Sequence, residues 1–76
     1  MAKAYLQINT EIGKEKEVKE QLLKIKGVKS ADLVTGINDI IVILEGRDYE
    51  EILNTVLTKV RSIKGLSKTT TNLVAE

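Results

Sequence analysis

The run Ile25-Lys26-Gly27-Val28 returns as Ile63-Lys64-Gly65-Leu66, displaced by 38 residues in a chain of 76. The same displacement carries Val18 onto Val56 and Leu22 onto Val60. Apolar residues at 18, 22 and 25, and again at 56, 60 and 63, follow the spacing of one helix face. A chain written as two such halves has few folds open to it. Each half reads as a strand, an amphipathic helix ended by glycine, and a second strand. At this length both halves form one domain, residues 1–76.

Ala4 to Asn9 reads as the first strand, with Leu6 and Ile8 on one face and Tyr5 and Gln7 on the other. Thr10 reads as the approach to the first helix, and Gly13 loosens the turn. Lys14 to Lys26 then carries the 18/22/25 stripe under a Lys/Glu-rich outer face. The pairs Glu15/Lys19 and Glu20/Lys24 stand at the i,i+4 spacing that supports a helix. Gly27 stands where a glycine lets the chain leave a helix left-handed. Val28 to Val34 is a second strand whose mixed polarity suits a sheet edge, and Thr35 to Asp39 is a turn. Ile40 to Leu44 is apolar without alternation, the mark of a strand covered on both faces. Asp48 is a good helix N-cap, with Glu51 completing a capping-box-like pair. The second helix runs from Tyr49 to Lys64, with Leu53 and Leu57 widening its apolar stripe. Leu66 to Ala75 is a threonine-rich last strand.

The resulting order, βαββαβ, is two split βαβ units, the ferredoxin-like α+β arrangement. Right-handed crossovers put both helices on one face of a four-stranded antiparallel sheet, with the first and third strands central. The other face stays bare. Ile40, Val42 and Leu44 point one way and Ile41 and Ile43 the other, so the helices cover only one row. An exposed aliphatic row on a sheet marks an interface. A sheet-to-sheet homodimer is the simplest way to cover it.

Composition removes several classes of function. The chain has no cysteine and no histidine, which excludes a disulfide framework and removes the usual general base and commonest zinc ligand. A net charge of +1 is far from the basic field of a protein that grips nucleic acid through phosphates. No apolar run approaches the length of a membrane span, and the reading is a cytoplasmic domain without cofactor or metal.

Two places could hold a ligand. In the turn, Gly36 exposes its backbone N–H and Asp39 offers an ionised acceptor, a pairing suited to a ligand with an anionic and a cationic end. The local sequence favours an ordinary hairpin turn. Thr69 and Thr71 stand two apart on the last strand and share a face. Locally, strand propensity is the commoner reason for threonines there. Paired carboxylates for acid–base work are not evident.

The turn Gly36-Ile37-Asn38-Asp39-Ile40 is similar to a Gly-x-Tyr-Asp-hydrophobic turn between second and third strands. The ending Gly65-Leu66-Ser67-Lys68-Thr69-Thr70-Thr71-Asn72-Leu73-Val74 is similar to a Gly-Val…Thr-x-Thr…Val final strand. On these motifs residues 3–75 resemble the effector-binding (RAM) domain of the Lrp/AsnC transcription regulators, in its stand-alone form without a helix-turn-helix. Asn38 departs from the tyrosine often found there. The resemblance implies a sheet-to-sheet dimer assembling into an octamer or decamer, with a small effector, usually an amino acid, held between dimers. It implies that Gly36, Asn38 and Asp39 bind the ligand, with Thr69 and Thr71 opposite. It also implies hetero-assembly with full-length regulators and no direct contact with nucleic acid.

Two other readings share the βαββαβ order. An ACT-type amino-acid-binding domain places its glycine between first strand and first helix, where Gly13 stands, but pairs its sheets edge to edge. A small dimeric α+β-barrel enzyme uses histidine or aromatics around its substrate, and Tyr5 and Tyr49 are the only aromatics here. A Cys-x-x-Cys metal chaperone is excluded. An acylphosphatase-like enzyme lacks its arginine, because Arg47 and Arg61 fall outside the loop after the first strand. The chain therefore reads as a regulatory binding module and not an enzyme.

Overall fold

Alternation in one strand sets the layers of the molecule. In the computed structural model, which describes residues 1–75, β1 (Ala2–Thr10) buries Ala4, Leu6 and Ile8 completely while Tyr5 remains exposed. The remaining elements are α1 (Glu15–Leu23), β2 (Val28–Leu33), β3 (Ile40–Gly46), α2 (Tyr49–Thr55) and β4 (Leu66–Leu73). A π-helical turn, Val56–Val60, continues α2. The four strands form one antiparallel sheet in the order β2-β3-β1-β4, so β1 and β3 are central as the two-half repeat requires.

Register assigns each side chain to a face, because residues directly opposite share one. Leu6 lies between Val42 and Thr71, and Ile8 between Ile40 and Thr69. Val18 and Leu22 of α1, with Ile52, Val56 and Val60 of the second helical segment, pack into the same buried cluster. Both helices therefore cover one face. On the other, Tyr5 lies between Ile43 and Asn72, and Gln7 between Ile41 and Thr70. Ile41 and Ile43 are half-buried there, beneath no helix.

The repeated glycines work as the repeat predicts. Gly27 has φ +100°, and its carbonyl accepts the N–H of Glu45 at the end of β3, at 2.8 Å. Gly65 has φ +97°, and its carbonyl accepts the N–H of Glu11 just past β1, also at 2.8 Å. Each half thus hooks the end of its helical segment onto the central strand of the other half.

Several boundaries differ from the expected ones. Thr10 belongs to β1, opposite Leu66, and not to a helix start. α1 stops at Leu23, after which tight turns carry Ile25 to the core's edge: Ile25 N–H donates to Leu22 and Val28 N–H to Ile25. Lys14, just before α1, pairs with Glu17 at 3.5 Å, and the expected i,i+4 pairs do not form among the described residues. The second helix is α-helical only to Thr55; at its end Arg61 N–H donates to Val56 at 3.0 Å, a five-residue step. The N-cap is as expected, with Asp48 Oδ1 accepting from Glu51 N–H at 2.8 Å. Glu51 reaches one residue further back, accepting from the backbone N–H of Arg47.

Candidate functional site

The 35–39 turn is fastened to the end of β1. Asp39 N–H donates to the Ile8 carbonyl at 2.9 Å, and the Asp39 carbonyl accepts from Val34 N–H at 2.9 Å. Asn9 Nδ2 donates to the Ile37 carbonyl at 2.8 Å. Asp39 Oδ2 accepts from Thr10 N–H at 2.8 Å and stands 3.4 Å from its hydroxyl. Asp39 is thus half-committed: one carboxylate oxygen holds β1, and among the described residues the other accepts no hydrogen bond. Gly36 has φ +119° with open space on its Cβ side, so backbone geometry alone selects glycine there. Asn38 is half-buried, while the Ile37 side chain is 92% exposed.

Thr69 and Thr71 lie elsewhere. Their register with Ile8 and Leu6 turns them to the helix side, into a cleft of about 630 Å³ between β4 and the π-helical turn. Leu53, Val56, Leu57 and Leu66 make its apolar walls, and Arg61 and Lys68 line it as well. Leu53 and Leu57 are exposed, Leu57 to 61%. Thr69 Oγ1 is buried and, among the described residues, has no hydrogen-bond partner. Buried hydroxyls without a partner are uncommon, because desolvation goes uncompensated.

The structure brings Thr69 and Thr71 together and leaves Gly36, Asn38 and Asp39 outside their cleft. The two groups flank β1 at one end of the sheet: Ile8 accepts from Asp39 on one side and stands opposite Thr69 on the other. Two strand spacings separate them, about 10 Å. One chain therefore carries two candidate half-sites. Arg61, Leu53 and Leu57 had no place in the sequence reading of a site, although the i,i+4 spacing of the three marks one helix side. A larger trough of about 1430 Å³ runs between the helices and holds none of the anticipated residues. Exposed lysines and glutamates line it, and a mixed solvated surface is its physical content. Among the described residues, no cluster of three or more carboxylates could hold a metal ion, and no helix is long and apolar enough to cross a membrane.

Strand order and both helices on one face define a ferredoxin-like α+β domain. The sequence model described as the Lrp/AsnC ligand binding domain matches residues 3–76, and the chain belongs to that family. An uncharacterized HTH-type transcriptional regulator of Pyrococcus furiosus is 40% identical over 57 residues, which are 75% of this chain and 38% of that protein. The chain spans less than half the length of the curated relatives it matches. The crystal structure of a hypothetical protein from Pyrococcus horikoshii superposes with a TM-score of 0.93 at 32% identity, covering 100% of this chain and 92% of that one. A Neisseria meningitidis transcriptional regulator, solved as an L-Met complex, shares the fold with a TM-score of 0.83 at 19% identity, over 99% of this chain and 50% of that one.

Proposed function

We propose that this chain is a cytoplasmic, non-enzymatic regulatory module that binds an amino acid between copies of itself. The family match over residues 3–76 carries the reading. The half-sites supply its geometry: the Gly36–Asp39 turn of one copy faces the Thr69/Thr71 cleft of another. There the free oxygen of Asp39 accepts from the ligand's α-ammonium, amides near Gly36 and the threonine hydroxyls serve its carboxylate, and Asn38 bounds its side chain. The fold likeness to a regulator solved with L-Met supports an amino acid as the effector. Copies pair through the bare sheet face and the dimers close into an octamer or decamer. Relatives named as HTH-type regulators support hetero-assembly with full-length Lrp/AsnC proteins, through which any effect on DNA passes.

Calorimetry with the twenty amino acids, followed by Asp39→Asn, tests this reading. Asparagine keeps an oxygen for Thr10 N–H, so the turn stays docked while the charge is lost. A charge-assisted hydrogen bond contributes roughly 1.5–3 kcal/mol, so affinity should fall about ten- to a hundred-fold. Absence of binding by every amino acid, or an unchanged affinity in Asp39→Asn, overturns the assignment.

A further inference from the structure

The two half-sites differ in charge. The cleft between the π-helical turn and β4 is lined by two cations, Arg61 and Lys68, and by no carboxylate. Neither cation belongs to an ion pair among the described residues. A guanidinium presents forked donors that match a carboxylate. Around Arg61 stand the aliphatic walls of Leu53, Leu57 and Leu66, together with the unpartnered Thr69 hydroxyl. A volume of about 630 Å³ that sets aliphatic side chains beside convergent polar groups suits a small amphipathic molecule. The backbone there is π-helical, a local widening that recurs at functional positions.

We infer that Arg61 anchors the ligand carboxylate, and that this cleft by itself binds small branched aliphatic carboxylic acids bearing no ammonium group. The inference rests on the reading above for the shared use of Thr69 and Thr71, and it assigns the cleft its own ligand class. An ammonium group placed in this lining meets two positive charges and no negative one. Its partner must come from the turn of another copy. A deaminated acid has no such requirement, so one chain suffices to hold it: carboxylate on Arg61 and the Thr69 hydroxyl, aliphatic end against the leucines.

The experiment is calorimetry on the full chain with 4-methylpentanoate, L-leucine and 3-methylbutylamine. The variants are Arg61→Gln, Thr69→Val and, as a surface control, Lys16→Gln on the exposed side of α1. The expected result is binding of 4-methylpentanoate and none of the amine. Arg61→Gln should weaken the acid at least ten-fold and Thr69→Val several-fold, with Lys16→Gln unchanged. Thr69→Val should hold or raise the melting temperature, because a methyl replaces a hydroxyl that has no partner; a purely structural threonine would lower it. No heat with 4-methylpentanoate, or equal affinity in Arg61→Gln, overturns the inference. The amino-acid reading fails separately if no amino acid binds while 4-methylpentanoate still does.

Discussion

At the scale of single residues, Glu51 shows how a surface carboxylate becomes part of a helix start. Its Oε1 accepts from Arg47 N–H at 2.8 Å and its Oε2 from Arg47 Nε at 3.0 Å, while its own N–H is capped by Asp48. The backbone hydrogen bond from Arg47, aided by the charge of that guanidinium, lowers its pKa below the ordinary 4.5. A carboxylate with a lowered folded pKa stabilises the fold above its unfolded pKa, and that contribution is lost as pH falls through the folded value. Glu51→Gln should therefore melt below the unmodified chain at pH 7, and the gap should close in acid below the lowered pKa. Thermal melts from pH 7 to pH 3 check this; a gap constant across that range would show that the charge has no part in it. The Asp48–Glu51 pair was legible because capping is local, within three residues. The partner of Asp39 was not, because Thr10 lies 29 positions away and meets it only after β1 and β3 have paired. The orphaned Thr69 hydroxyl was hidden for the same reason: spacing puts Thr69 and Thr71 on one face but does not say which element lies over them.

At the scale of elements, the number and order of strands and helices followed from the repeat, while their ends did not. Helix period survives in the Ile25 and Ile63 positions, which still meet the core, yet both residues sit in tight turns beyond the helices. The reason is the hook made by each glycine carbonyl, which draws the chain toward the sheet before another helical turn is complete. The π-helical turn was equally hidden: Thr58 Oγ1 donates to the Asn54 carbonyl at 2.7 Å, competing locally with the helix's own bonding, and no sequence period announces that choice. The hook at Gly27 is testable. A Cβ there would stand 2.7 Å from the Glu45 carbonyl oxygen, besides forcing a side chain onto φ +100°. At Gly36 a Cβ meets open space, so Gly36→Ala carries backbone strain alone, about 1–2 kcal/mol. Gly27→Ala should cost more, about 3 kcal/mol, since the clash is with backbone and breaks the bond to Glu45. At roughly 4–8 °C per kcal/mol for a domain of this size, thermal melts separate the two variants. Equal losses would mean that the Gly27 hook contributes nothing beyond its φ.

At the scale of the whole molecule, one β-strand explains why a chain this small reads as an assembling one. β3 alternates between buried Ile40, Val42 and Leu44 and half-buried Ile41 and Ile43, so one chain covers only one of the two apolar faces expected to be covered. The first row meets the helices; the second, with Tyr5 and Gln7 beside it, meets none. Small domains bury a modest fraction of their surface, so covering this row with a second sheet adds stability that one chain lacks. The proposed dimer thus predicts opposite outcomes for neighbouring substitutions. Val42→Asp places an unpaired carboxylate in the core, at a cost of several kcal/mol, and should leave the chain unfolded by circular dichroism. Ile41→Asp places the same charge on the bare face, where a lone chain can hydrate it but a paired one buries it. It should keep the strand and helix signal while light scattering shows the assembly falling to monomers, less stable to heat than the unmodified chain. An Ile41→Asp protein that keeps the size of the unmodified one would remove the sheet face from the interface, and with it the dimer on which the proposed rings depend.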